Sequence, residues 1–256
     1  MSNQPQEKKI GANLQRLVIA PDQVRDDNLS LTSAQCHYLY RVLRLNPGDR
    51  FLAMDGQGQR WLSQLGGVGE PSRLLEAAPI STELGVSIVL CMALVKGNSL
   101  DLVIQEATEL GVREIIPIRS DRSLLQPSAS KYQRWQRIAQ EAAEQSQRLW
   151  VPKISTAIAL DEMLTFEGAR YMAGLATDAI PLNRALDQGN THAKNIKKIY
   201  IAIGPEGGWT SQEVEQAQRA GWQTVSLGRR TLRAVTAAIA ALALISIHYD
   251  GEDFIE

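Results

Sequence analysis

From Ile199 to Thr210 the chain reads Ile-Tyr-Ile-Ala-Ile-Gly-Pro-Glu-Gly-Gly-Trp-Thr, an apolar run that opens into glycines and closes on a residue able to start a helix. Chemistry in such a stretch is done by the backbone, because a residue without Cβ lets amides and carbonyls come close to a ligand. A strand that empties through a glycine turn into a helix is how open α/β sheets hold small molecules at their carboxyl edge. The plainer use of Gly207-Gly208 is a tight turn with no ligand. No Gly-Lys-Ser/Thr follows, and the glycine spacing is not Gly-x-Gly-x-x-Gly, so neither a P-loop nor a dinucleotide fingerprint is present. A second loop of the same kind, Ser226-Leu227-Gly228-Arg229-Arg230-Thr231-Leu232-Arg233, leaves a short strand and enters the small-residue helix Ala237 to Ile247. The third feature with chemical potential is basic. Arg119 to Lys153 carries Arg119, Arg122, Lys131, Arg134, Arg137, Arg148 and Lys153 against Asp121, Glu141 and Glu144, which suits either a salt-bridged helix face or phosphate contacts.

These residues need elements to hold them. Ile199, Tyr200, Ile201 and Ile203 predict a strand, and Thr210-Ser211-Gln212-Glu213 has capping-box spacing for the helix that follows, with Gly221 as its stop. Val86 to Val95 reads as a strand buried on both faces, the mark of a parallel sheet. Leu100, Val103, Ile104, Ala107 and Leu110 keep a helical rhythm between an Asn98 or Ser99 cap and Gly111. Further strands are expected over Val112 to Ile118, Tyr171 to Leu175 and Thr224 to Leu227. A helix is expected over Tyr132 to Arg148, with Trp135, Ile138 and Ala142 inward, Arg134, Arg137 and Arg148 outward, and i,i+4 pairs Arg137/Glu141 and Glu144/Arg148. Upstream, from Arg16 to about Ile80, short runs (Leu17-Val18-Ile19, Phe51 to Met54, Trp61 to Leu65) between Asn-Pro-Gly-Asp and Asp-Gly turns predict a small antiparallel, barrel-like β domain. Ser33 to Leu45 interrupts it as a helix with Leu39, Val42 and Leu43 on one side and Arg41 and Arg44 projecting. Those arginines are a solvated face or a phosphate contact.

Composition bounds the rest. With 256 residues, 44% of them apolar, the chain is long enough for two domains with a packed core. Its net charge of -1 provides no global attraction to nucleic acid or membrane, so a polyanion site must be local. Cys36 and Cys91 have no metal-binding spacing and read as buried thiols, in keeping with a cytoplasmic protein. Met1 to Lys9 lacks the apolar core of a signal peptide, and Ala237 to Ile247 is too short to span a bilayer.

Several motifs in order carry a family resemblance. They are Lys96-Gly97, Gln105 to Val112, Arg134-Trp135-Gln136-Arg137-Ile138-Ala139 with Glu141 to Ser146, Ile203 to Trp209, and Leu227-Gly228-x-Arg230-x-Leu232-Arg233-x-x-Thr236-Ala237. With His37-Tyr38-Leu39-x-x-Val42-Leu43-Arg44 and Gly48-Asp49 upstream, the chain resembles the bacterial 16S rRNA uridine-N3 methyltransferases of the SPOUT superfamily over nearly its whole length. The resemblance implies an α/β fold. It comprises a PUA-like β-barrel RNA-binding domain over 1–80 and a SPOUT methyltransferase domain over 81–256, a parallel sheet with a C-terminal trefoil knot. It also implies a homodimer, S-adenosyl-L-methionine as methyl donor, and 16S rRNA within the 30S subunit as partner, with no DNA, membrane or metal. The donor site then maps onto Gly174, Leu175, Ile203, Gly204, Pro205, Glu206, Gly207, Gly208, Ser226, Leu227, Gly228, Leu232, Arg233 and Thr236. Loss of the uridine N3 proton calls for a stabilising charge, for which Arg233 and Arg230 are the candidates, and for a base, with Glu206 either base or loop brace. Arg41, Arg44, Arg122, Arg134 and Arg137 form the expected phosphate-binding set. The family's Leu-Arg-Thr-Glu-Thr-Ala stretch departs here to Leu-Arg-Ala-Val-Thr-Ala, with Val235 at the Glu position. Two rivals stand beside this reading: a ribose 2′-O-methyltransferase of the same superfamily, whose Asn-containing motif is not found, and a noncatalytic RNA-binding factor.

Overall fold

The computed structural model describes residues 14–78, 82–123, 126–175, 179–192 and 197–250. The expected domain boundary at Ile80 and Ser81, and the polar stretch Met1 to Lys9, lie outside the described residues. The chain divides into two compact units, Met1–Thr82 with Gln147–Trp150, and Glu83–Ser146 with Val151–Glu256.

The smaller unit is a six-stranded sheet in the order β1-β4-β5-β6-β3-β2. Its strands are β1 (Arg16–Val18), β2 (Val24–Arg25), β3 (Asn28–Leu29), β4 (Arg50–Met54), β5 (Arg60–Gln64) and β6 (Ser72–Ala77). Asp26 and Asp27, at φ +46° and +63°, make the two-residue turn joining β2 to β3. The sheet departs from the all-antiparallel expectation at β1, which runs parallel to β4. Leu17, Leu29, Leu39, Phe51, Ala53, Leu65 and Leu74 form its main core. Helix α1 (Ser33–His37) is capped by Thr32, whose hydroxyl accepts from the Gln35 amide at 3.2 Å while the Gln35 side chain accepts from the Thr32 amide at 2.9 Å. It then widens into a π turn over Tyr38–Val42, in which the Leu43 amide bonds back to the Tyr38 carbonyl. That extra residue in the turn rotates the register: Leu39 is fully buried, but Val42, expected beside it, is 57% exposed. The segment Gln147–Trp150 completes this unit through a Gln57–Trp150 bridge and a bond from the Gly58 amide to the Leu149 carbonyl. A Cβ on Gly58 would stand 2.9 Å from the Trp150 indole nitrogen, so this position requires glycine.

The larger unit is the expected parallel α/β sheet, in the order β10-β8-β7-β13-β11-β14-β12 with β9 also on β8. In chain order it comprises β7 (Ser87–Ala93), α2 (Ser99–Glu109), β8 (Glu114–Arg119), α3 (Ala129–Gln145), β9 (Lys153–Ile154), β10 (Ile158–Ala159), α4 (Leu160–Leu164), β11 (Ala169–Ala173), β12 (Ile180–Pro181), α5 (Leu182–His192), β13 (Lys198–Ile203), α6 (Ser211–Arg219), β14 (Gln223–Ser226) and α7 (Ala234–Asp250). Every pairing among these strands is parallel. Residues 88–93 of β7 are wholly buried, because helices α2 and α7 pack with the Ile88/Leu90/Met92 face and Val89 and Cys91 face a second cluster with Met163 and Trp222. Burying each large apolar side chain contributes about 1.5–3 kcal/mol, so this central strand anchors the sheet. Helix α3 begins three residues before the expected Tyr132, at a Ser128 cap, and ends at Gln145. Gln147 then takes φ +65°, and Arg148, expected on the outer helix face, lies past the helix and is buried. Among the described residues no helix is long and apolar enough to cross a membrane.

Candidate active site

Strand β11 lies between β13 and β14, its two neighbours in the sheet. After β11 the chain passes to β12, which lies beyond β14, comes back through α5 to β13 on the other side of β11, and then returns across it through α6 to β14. Loops leaving the carboxyl ends of these strands therefore face one another at a point where the winding reverses, and a crevice opens there. It measures 580 Å³, within the range of small-molecule sites.

Of the expected donor-binding residues, Gly174, Leu175, Ile203, Gly204, Pro205, Glu206, Gly207, Gly208, Leu227, Gly228 and Leu232 line this cavity, and so does Arg230. Ser226, Arg233 and Thr236 are not among its lining residues. Ser226 acts on the loop from behind, its hydroxyl accepting from the Gly228 amide at 3.2 Å, and the Arg233 carbonyl accepts from the Ala237 amide at the start of α7. Trp209 and the α6 face Ser211, Val214, Glu215 and Gln218 complete the wall. The last four stand at helical spacing 0, 3, 4, 7, a mixed polar stripe that the placement of glycines in the loops does not single out.

The glycine loop owes its shape to a few bonds. Gly208, at φ +69°, donates its amide to the Pro205 carbonyl at 2.8 Å, closing the turn. Above Gly204 sits the Trp209 indole, 3.2 Å from where a Cβ would stand, and its Nε1 is sealed from solvent with no hydrogen-bond partner. The predicted capping box is formed: the Thr210 hydroxyl accepts from the Glu213 amide, and the Glu213 carboxylate accepts from the Thr210 amide at 2.7 Å. Glu213, 2% exposed, also accepts from the Asp121 amide at 3.0 Å, tying the loop after β8 to the start of α6. Beside it, the exposed Arg122 guanidinium donates to the Gly207 carbonyl. The Glu206 carboxylate accepts from the Lys96 amide at 3.0 Å, so its group serves the packing of the loop after β7.

The expected phosphate set is divided between the two units. Arg41 and Arg44 belong to the smaller unit, exposed at the end of the π turn, with Arg44 at φ +56°. Arg122 is at the glycine loop. On α3, Arg134 pairs with the nearly buried Asp101 at 2.8 Å, and Arg137 forms the predicted i,i+4 pair with Glu141 at 3.6 Å. Arg229, Arg230 and Arg233 are exposed and form no ion pair with any described residue. Among the described residues no three His, Cys, Asp or Glu side chains converge to hold a metal. Val235 is half-buried and packed against the main core.

Comparison with known proteins agrees with this architecture. An RNA methyltransferase domain model matches residues 82–246, and an RNA methyltransferase PUA domain model matches residues 31–72. The ribosomal RNA small subunit methyltransferase E of Synechocystis sp. is 42% identical over 90% of this chain and 77% of its own length. That of Bacillus subtilis is 30% identical over 85% and 89%. The crystal structure of ribosomal RNA small subunit methyltransferase E from Neisseria gonorrhoeae, bound to S-adenosyl methionine, superposes with a TM-score of 0.79 at 27% identity, covering 92% of this chain and 98% of that one.

Proposed function

Since the chain belongs to the ribosomal RNA small subunit methyltransferase E family, we propose that it transfers a methyl group from S-adenosyl-L-methionine to N3 of a uridine in 16S rRNA. The observation that carries this reading is the crevice at the ends of β11, β13 and β14, walled by three glycine-bearing loops. Its chemistry fits the donor. Ile203, Val214, Leu227 and Leu232 offer apolar surface to a purine, the backbones of Gly204, Gly208 and Gly228 can be approached closely, and Glu206 and Glu215 bring negative charge to a cationic ligand.

When bound, S-adenosylmethionine supplies an activated methyl group with its own leaving group. The protein then has to align the acceptor, exclude water and assist loss of the N3 proton. Alignment of two bound reactants is worth about 7–11 kcal/mol of barrier. Arg230 lines the cavity and has no carboxylate partner among the described residues, so its charge is available to the uridine anion. Arg233, at the entry to α7, adds to the same field. We assign Glu206 the bracing role, on the strength of its bond to the Lys96 amide.

RNA phosphates are held by exposed arginines, with Arg41 and Arg44 on the PUA-like unit and Arg122 on the methyltransferase unit. A net charge of -1 favours assembled 30S subunits over naked RNA as substrate. A homodimer accounts for α7, apolar all round its circumference yet leaving Leu244 40% and Ile247 73% exposed; a second copy covering that face removes the conflict. The enzyme works in the cytoplasm, where its substrate is assembled.

The test is nucleoside mass spectrometry of 16S rRNA from subunits incubated with protein and donor. A base-methylated uridine is expected. A ribose-methylated nucleoside would overturn the N3 assignment, and absence of any methyl group would favour the noncatalytic factor suggested by Val235.

A further inference from the structure

We propose that Arg16 and Arg60, on one face of the smaller unit, bind a phosphate group of the RNA backbone. The sheet register brings them together: Arg16 pairs with Leu52 on β4, Leu52 with Leu62 on β5, and Arg60 stands two residues before Leu62. Side chains paired across neighbouring strands, and those two apart on one strand, share a face. Both arginines therefore border the small apolar cluster of Leu52, Leu62 and Ala78.

Their environment is unusual for cations. Arg60 is 7% exposed, and among the described residues its side chain forms one hydrogen bond, from Nε to the Ala78 carbonyl at 3.0 Å. Its Nη2 and the Nε of Arg16 are sealed from solvent with no partner. No ion pair joins either to any described residue, and Glu76, opposite Leu62 on β6, is exposed and reaches neither. Burial lowers the proton affinity of both guanidiniums, and the charge of Arg60 lowers that of Arg16 further. A cation withdrawn from water beside a second, half-exposed one, with no counter-charge among the described residues, opposes folding, and a bound anion relieves the conflict. A planar guanidinium fork matches phosphate oxygens in two-point contacts, and Arg16, on the same face as Arg60, is half-exposed to solvent. The ligand class is thus an oxyanion. That it belongs to RNA rests on the function proposed above and on the PUA-domain match that includes Arg60.

Thermal unfolding in inorganic phosphate against chloride at equal ionic strength probes the anion. Titration of RNA binding with salt probes its source. Melting of the wild type should rise with phosphate. Arg60→Met and Arg16→Gln should each abolish that rise, and Arg60→Met should melt no lower than wild type in chloride. Arg16→Gln, the gentler change should Arg60→Met fail to fold, should flatten the logarithmic salt slope of 16S rRNA binding by about 0.7–0.9, one phosphate contact, at unchanged donor affinity by calorimetry. A phosphate response with an unchanged RNA slope means an adventitious ion only and overturns the proposal, as does the absence of any phosphate response. Wild-type protein that binds donor but no RNA would overturn the functional reading too, whereas RNA binding with an unaltered slope in Arg16→Gln overturns this site alone.

Discussion

Gly228 holds φ at +113°, with no heavy atom within 4 Å of where a Cβ would stand, so alanine is opposed there by backbone conformation and not by crowding. Gly228→Ala should cost about 1–3 kcal/mol of local strain, read as weaker donor binding in calorimetry. Wild-type affinity would remove that loop from the site. The arginines of the same loop separate by position. Arg230→Ala should lower kcat by roughly 10²–10³ with little change in donor affinity, the mark of a charge felt mainly in the transition state, while Arg233→Ala, outside the cavity wall, should cost less. Equal losses would contradict the assignment. A buried thiol supplies a pH signature. Desolvation pushes Cys91 far above its ordinary value of 9.0, and burial also raises Tyr171 from 10.0. Above about pH 9 the unfolded chain loses a proton that the native chain keeps, so stability is whole below that pH and falls as pH rises further. Urea midpoints from pH 8 to 10 should decline, and Cys91→Ala should remove the first part of the decline.

At the level of elements, the glycine loop is held through Glu213, which caps α6 and reaches across to Asp121. Glu213→Ala leaves two amides without their acceptor and should cost about 1–3 kcal/mol in denaturation together with a loss of donor affinity. A stability loss with donor binding intact would confine Glu213 to folding. The cap itself was legible in advance, because Thr210 and Glu213 have the spacing that reciprocal bonding needs. Strong periodicity likewise marked β7, α2 and β13 to within a residue or two. Less was legible where a local irregularity decided the outcome. The π turn after α1 turned Val42 outward, and the positive φ of Gln147 ended α3 early and buried Arg148. Two-residue strands such as β9 and β12 carry no period at all, being specified by their neighbours. In the crevice, the loop residues could be read from glycine placement, but the contribution of Gln218 and its α6 companions required knowing which face of that helix turned to β14.

For the molecule as a whole, the apolar face of α7 carries the expectation of self-association. Ile247→Lys should shift the protein from dimer to monomer in sedimentation, with little change in helix content, since Ile247 is 73% exposed in the single chain. A monomeric wild type, or a variant that remains dimeric, would place the subunit contact elsewhere or nowhere. The parallel sheet has a consequence for synthesis. Strand β7 meets β8 soon after it emerges, but on its other edge Ile88 pairs with Ile199, about 110 residues later. At roughly 5–20 residues per second, translation leaves that edge bare for about 5–20 s. A nascent chain halted before β13 would thus present an open, water-averse ribbon to its surroundings, making this interval the natural window for chaperone capture and the first step to suffer when elongation slows.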